Sequence, residues 1–192
     1  MWKQLQKEYK DKYDMSWIGQ YGFNNTYALI VREEAAKKYN LTKTSQLADV
    51  SDELVFGGNS DYIERKDGFH LLCDTYGLKF KDVKDIDIGL KYEALKKGDI
   101  DVSNGFTTDA QLSNDNVRVL EDDKHLQVNY FCSNVVRNDT LKSHPGLEEA
   151  IMKLDNSITD KEMASLNYKV EVEGKEDVQV AKDYLTEKGI IK

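Results

Sequence analysis

The chain has little of several things, and each scarcity removes a class of function. Cysteine occurs twice, as Cys73 and Cys132. Neither has a partner at metal-ligand spacing and no disulfide framework can be deduced, so both are expected to be buried free thiols. No stretch approaches the roughly 18 apolar residues of a membrane span, and the start, MWKQLQKEYKDKYDM, lacks the apolar core of a signal peptide. Basic charge is in deficit, with 27 Lys and Arg against 35 Asp and Glu for a net charge of -8, and no run of five like charges gathers the excess into a tail. That balance excludes nucleic acid as a partner. It attracts cations only weakly at physiological salt, so solubility explains it well enough. Proline appears once, at Pro145, and no Pro/Gly/Ser-rich linker divides the chain.

Catalytic and metal-binding patterns are missing too. There is no His-Glu-x-x-His, no Cys-x-x-Cys, no glycine-rich phosphate cradle and no Gly-x-Ser-x-Gly. Asp85-x-Asp87 and Asp99-x-Asp101 lack the further oxygen ligands of a calcium loop and are expected at strand starts, facing solvent. His70, His125 and His144 stand without a motif, and a lone histidine is more often a satisfied polar residue than a base or ligand. No enzyme, no metal and no cofactor are expected.

What is present is an alternation of periods. At 192 residues and 22.0 kDa the chain is long enough for one large domain or two small ones. Trp2, Leu5, Tyr9 and Tyr13 fall on one stripe of a helix over 2–13. Strands are predicted at Thr26–Val31, Glu53–Gly58, Asp85–Gly89, Asp99–Asn104, Val117–Asp122 and Asn134–Asp139. Between them, helical patterns cover Arg32–Asn40, Asp61–Tyr76 and Lys91–Gly98. Such alternation predicts an α/β block near 24–130 with a mostly parallel sheet covered on both faces. Helices at 146–155, 159–167 and 176–188 follow. Thr159 with Glu162 three positions on makes a capping box, and Gly189 is placed to stop the last helix.

The segment GFNNTYALIV, Gly22–Val31, crowds aromatic and amide side chains just ahead of a buried strand, where binding residues often sit. Composition alone favours a plainer reading, with Phe23 and Tyr27 in the core and Asn24 and Asn25 in a turn. A wider resemblance changes the balance. GFNNTYAL, YIERKDGFHLL with TYGLKF, GLKYEALKKGDIDV, TTDAQL, VLEDDKH, ITDKEMASLNYKVEVEGK and VAKDYLTEKGIIK together resemble, in consistent order from about residue 15 to the C-terminus, the glycine betaine, carnitine and choline binding proteins of osmoprotectant ABC importers.

This resemblance implies a two-lobe, periplasmic-binding-protein-like α/β fold of type II, with ligand held between the lobes. It makes 24–130 lobe two, and 1–23 with 131–192 the remnant of a lobe one that lacks its N-terminal part. Such a remnant leaves apolar faces uncovered, so association through it is expected. The implied ligand is a small quaternary ammonium compound, held by an aromatic cage because it has no N–H to donate and is weakly hydrated. Tyr27, Phe106 and Tyr130 fall where similar proteins place cage aromatics. Arg65 falls where they have an arginine pairing with a ligand carboxylate. Asn25, Thr108 and Asp109 are implied for polar contacts. The implied partners are an ABC permease, fused or separate, and its ATPase, with the chain outside the cytoplasm, attached by a lipid anchor or by fusion to the permease. An ergothioneine-binding domain and a ligand sensor on the same fold are the alternatives. The chain departs from the family pattern at Phe106, where tyrosine is usual, and at Leu126–Asn129. Losing that hydroxyl keeps the π face and shifts preference.

Overall fold

A computed structural model describes residues 2–113 and 116–192; Met1, Asn114 and Asp115, which fall inside the stretches assigned above, lie outside it. In chain order the elements are α1 (Trp2–Tyr13), β1 (Met15–Ile18), β2 (Tyr27–Arg32), α2 (Glu33–Lys38), β3 (Val55–Gly58), α3 (Ser60–Glu64), α4 (Phe69–Tyr76), β4 (Asp82–Asp85), α5 (Lys91–Lys97), β5 (Val102–Phe106), β6 (Val117–Leu120), β7 (Asn134–Arg137), α6 (Asn138–Ser143), α7 (Leu147–Met152), α8 (Asp160–Glu171) and α9 (Asp177–Glu187). They pack as two compact units, one of Thr26–Val128 and one of the residues up to Asn25 together with Asn129–Lys192.

The unit from Thr26 to Val128 is built on a five-stranded sheet in the order β4-β3-β5-β2-β6. One interior strand, β2, follows from the run Tyr27–Arg32, four residues of which are buried because both faces of the strand are covered. Leu29 and Val31 enter one core cluster with Ala35, Ala36, Phe56, Leu72 and Val102, while Ile30 enters a second with Leu95 and Ile100. The far edge is blunted: β4 reads Asp-Val-Lys-Asp and is exposed throughout, a charged strand that discourages further pairing.

The expectation of a mostly parallel sheet is overturned. β3 runs parallel to β4 and β5, but β2 is antiparallel to both β5 and β6. The connection from β2 to β3 passes through the six-residue α2 and two short 3-10 turns at Thr44–Asp49 and Ser51–Glu53. It starts β3 at the end where β2 finished, so no right-handed crossover forms. Four other expectations shift. The helix over Asp61–Tyr76 breaks at Arg65, which leaves helical geometry with ψ 139°, and resumes after Gly68, where a Cβ would stand 2.0 Å from the Tyr62 carbonyl oxygen. The strand at Asp85–Gly89 lies earlier, at Asp82–Asp85, because Asp87 turns the chain by accepting from the Gly89 amide at 2.8 Å. Asp101 does not face solvent: its carboxylate takes Arg32 Nε at 2.7 Å and the Val55 amide at 2.9 Å, tying β2, β3 and β5 at one end. Both cysteines are free but only half-buried.

The other unit pairs β1 antiparallel with β7 in a two-stranded sheet. The α1 stripe closes on it through edge-on contacts of Trp2 and Tyr9 with Trp17, at 5.7 and 5.2 Å between centroids. The capping box at Thr159 is formed, although α8 runs on to Glu171. After α9 the Gly189 amide bonds the Thr186 carbonyl and the Ile190 amide that of Leu185, which closes the helix.

Candidate functional site

In the Thr26–Val128 unit, three aromatic rings gather where β2 begins and β5 ends. Tyr27 and Phe106 are register partners across the ladder, so both side chains leave the sheet on one face. Their rings stack with centroids 5.0 Å apart. Tyr62, from α3, joins Tyr27 at 5.1 Å and a tilt of 59°. Burial pushes the Tyr62 hydroxyl far up from its ordinary range, with the Tyr27 hydroxyl adding to the shift, so it stays neutral. Tyr27 and Phe106 themselves remain partly exposed, which leaves ring area available.

The turn after β5 is fixed by hydrogen bonds. Asp109 Oδ2 accepts from the Phe106 amide at 3.0 Å, from the Tyr92 hydroxyl at 2.6 Å and from Lys91 Nζ at 3.2 Å. Thr107 Oγ1 takes the Thr26 amide at 3.3 Å, while the Thr107 amide bonds the Thr26 carbonyl at 3.0 Å. Thr108 is buried. Asp109 therefore serves first as the anchor of the Phe106 turn. Next along β5, Asn104 is 3% exposed and its Oδ1 is buried, beside Gly58, with no hydrogen-bond partner among the described residues.

Arg65 sits at the end of α3, three residues after Tyr62, with its side chain half-exposed. Its fork grips Asp67, Nε to Oδ1 at 2.9 Å and Nη2 to Oδ2 at 2.7 Å. That contact holds the Asp67 carboxyl below its ordinary range. The geometry suits a carboxylate, and here the carboxylate is the protein's own.

Asn25 and Tyr130 belong to the other unit. The Asn25 amide bonds the Tyr130 carbonyl at 3.1 Å, the Tyr130 amide donates to Asn24 Oδ1 at 2.6 Å, and Asn24 Nδ2 donates to Asn129 Oδ1 at 2.9 Å. The two asparagines thus clamp the chain leading to Tyr130. Tyr130 is 54% exposed and lines a cavity of about 470 Å³ with Trp2, Trp17 and Phe131. Sequence reading did not single out Tyr62, Lys91 or Tyr92. Tyr62 and Arg65, at i and i+3 of the helix expected over Asp61–Tyr76, were the available signal for the first; nothing local marked the other two. Among the described residues, no group of three or more His, Cys, Asp or Glu could hold a metal ion, and no helix is long and apolar enough to cross a membrane.

Comparison with known proteins gives this arrangement a context. The family profile for the substrate binding domain of ABC-type glycine betaine transport systems matches residues 1–187. The chain is 38% identical over 186 residues to the ergothioneine transport permease/ergothioneine binding protein EgtU of Helicobacter pylori, a match covering 97% of this chain and 34% of that protein. It is 36% identical over 182 residues to the carnitine transport binding protein OpuCC of Listeria monocytogenes, covering 94% of this chain and 59% of that one. The chain thus spans between about a third and three fifths of the length of these two relatives. A crystal structure of a glycine betaine/carnitine/choline ABC transporter superposes with a TM-score of 0.90 at 38% identity, over 96% of this chain and 68% of that one. The fold is accordingly the α/β fold of type II periplasmic binding proteins. With its profile match running nearly end to end, the chain belongs to the family of substrate-binding domains of ABC-type glycine betaine transport systems.

Proposed function

We propose that the chain captures small quaternary ammonium compounds outside the cytoplasm and passes them to an ABC permease driven by its ATPase. The observation that carries this reading is the stacked Tyr27–Phe106 pair with Tyr62 against it. Aromatic faces are the surfaces that hold a cation lacking N–H groups, each contributing roughly 0.5 to 2 kcal/mol. On this reading residues 24–130 are lobe two, and 1–23 with 131–192 belong to lobe one. Tyr27, Phe106 and Tyr130 supply cage faces. Asn25 and Thr108 make polar contacts, Asp109 holds the turn that carries Phe106, and Arg65 exchanges Asp67 for the ligand's carboxylate. Attachment by a lipid anchor or by fusion to the permease, and association through the smaller sheet unit, belong to the same reading.

A second reading has one observation behind it: a relative at 38% identity is named for ergothioneine, which carries both a trimethylammonium group and a carboxylate. Thermal shifts with choline, glycine betaine, carnitine and ergothioneine test both, because a ligand that binds only the folded state raises the melting temperature by mass action. A shift with any of the first three supports the proposal. A shift with ergothioneine alone selects the second reading, and none with all four overturns both.

A further inference from the structure

A charge pair of a buried lysine and a partly buried aspartate stands beside Phe106, and none of the ligand contacts above uses its positive member. Lys91 opens α5 and is 5% exposed. Its ammonium lies 5.8 Å from the Phe106 ring centroid and 5.1 Å from that of Tyr92. The counter-charge is Asp109 at 3.2 Å. One carboxylate oxygen thus receives an ammonium, a phenol and the amide of the residue that bears the ring.

The arrangement has an electrostatic consequence. An ammonium over an aromatic face draws on the same ring electron density that a second cation needs, and repels that cation as well. A carboxylate paired with it offsets the repulsion. With few water molecules near such a pair, neither influence is strongly screened.

We propose that Lys91 and Asp109 form a specificity-determining pair: together they position the Phe106 ring, and the balance of their charges sets how well the site takes a cation relative to an uncharged molecule of the same shape. The proposal rests on Tyr27 and Phe106 being a ligand-binding face. It assigns the pair opposite electrostatic signs. Lys91 opposes cation binding, and Asp109 favours it.

Calorimetric titration with choline and with 3,3-dimethylbutan-1-ol, in which carbon replaces the quaternary nitrogen, separates charge from position. In Lys91→Met, choline affinity relative to the alcohol should rise roughly three- to tenfold, because the carboxylate is left facing the ligand. In Asp109→Asn it should fall by a similar factor, because the ammonium is left uncompensated. Lys91→Arg, which keeps the charge, should retain the parent ratio. Losses shared equally by choline and the alcohol in both variants would mean the pair acts through packing alone and would overturn the proposal. Should Lys91→Met fail to fold, Asp109→Asn decides by itself, since a loss confined to choline supports the charge role and a loss shared with the alcohol refutes it. A parent protein that binds none of the quaternary ammonium compounds overturns the underlying reading first, and this proposal with it.

Discussion

Tyr27 and Phe106 stand directly opposite each other across the β2–β5 ladder, their rings 5.0 Å apart and 24° from parallel. One residue opens its strand and the other closes its own, so the pair is set by sheet register instead of by loop conformation. A face fixed this way loses little freedom on binding. Tyr27→Ala should therefore weaken choline, glycine betaine and carnitine alike, by roughly 0.5 to 2 kcal/mol, while Tyr27→Phe keeps most of the affinity. Titration with all three checks this; a loss limited to one ligand would argue against a shared cation face.

On the proposed reading, Arg65 answers for the other end of the ligand. Its fork is held by Asp67 in a half-exposed pair of the kind that contributes little to stability. Arg65→Ala should leave the melting temperature nearly unchanged, weaken glycine betaine and carnitine roughly tenfold or more, and spare choline, which has no carboxylate. Asp67→Ala removes a carboxylate that competes with the ligand's and should leave glycine betaine binding intact or tighter. Equal losses for choline and glycine betaine in Arg65→Ala would remove the assigned role.

Acid sensitivity should be traceable to the start of α8. A hydrogen bond from Lys188 and two from Thr159 lower the Glu162 carboxyl from 4.5 to about 2. A lowered folded value means that this stabilisation is complete above the unfolded value and is lost as pH falls from about 4.5 towards about 2. Lys188→Met removes the largest cause, so the difference in urea stability between about pH 7 and about pH 3 should narrow. Thr159→Ala should cost about 1 kcal/mol at neutral pH through the lost cap. An unchanged pH difference in Lys188→Met would contradict the assignment.

Gly105 has no room for a side chain. A Cβ there would stand 2.1 Å from Ile30 Cδ1, 3.0 Å from Asp109 Oδ2 and 3.1 Å from the Tyr92 hydroxyl. Ile30 is fully buried and cannot yield without disturbing its cluster. Gly105→Ala should destabilise by roughly 1 to 3 kcal/mol in urea unfolding, and should also weaken choline because the Asp109 anchor of Phe106 is displaced. Full stability in that variant would show that the sheet accommodates the methyl group.

Features that depend on neighbours along the chain were legible from the residues alone. The run Thr26–Val31 marked a buried strand, the aromatic stripe of Trp2, Tyr9 and Tyr13 marked α1, and Thr159 with Glu162 marked the start of α8. The binding role proposed for Tyr27 is not legible from composition, which favours the core; the resemblance carried by GFNNTYAL points to it. β1, whose four residues alternate too briefly to register, and α6 passed unnoticed.

The sequence by itself determined the α/β class, most of the helices and strands, and the family to which the motifs point, because propensity, period and caps act over a few residues. Only the tertiary structure decided that β5 inserts between β3 and an antiparallel β2, that Phe106 meets Tyr27 there, and that Lys91 approaches the Phe106 ring while Asp109 accepts from the Phe106 amide. Those outcomes depend on the register of strands distant in sequence, which is fixed by how both sheet faces pack and leaves no local signature in the chain.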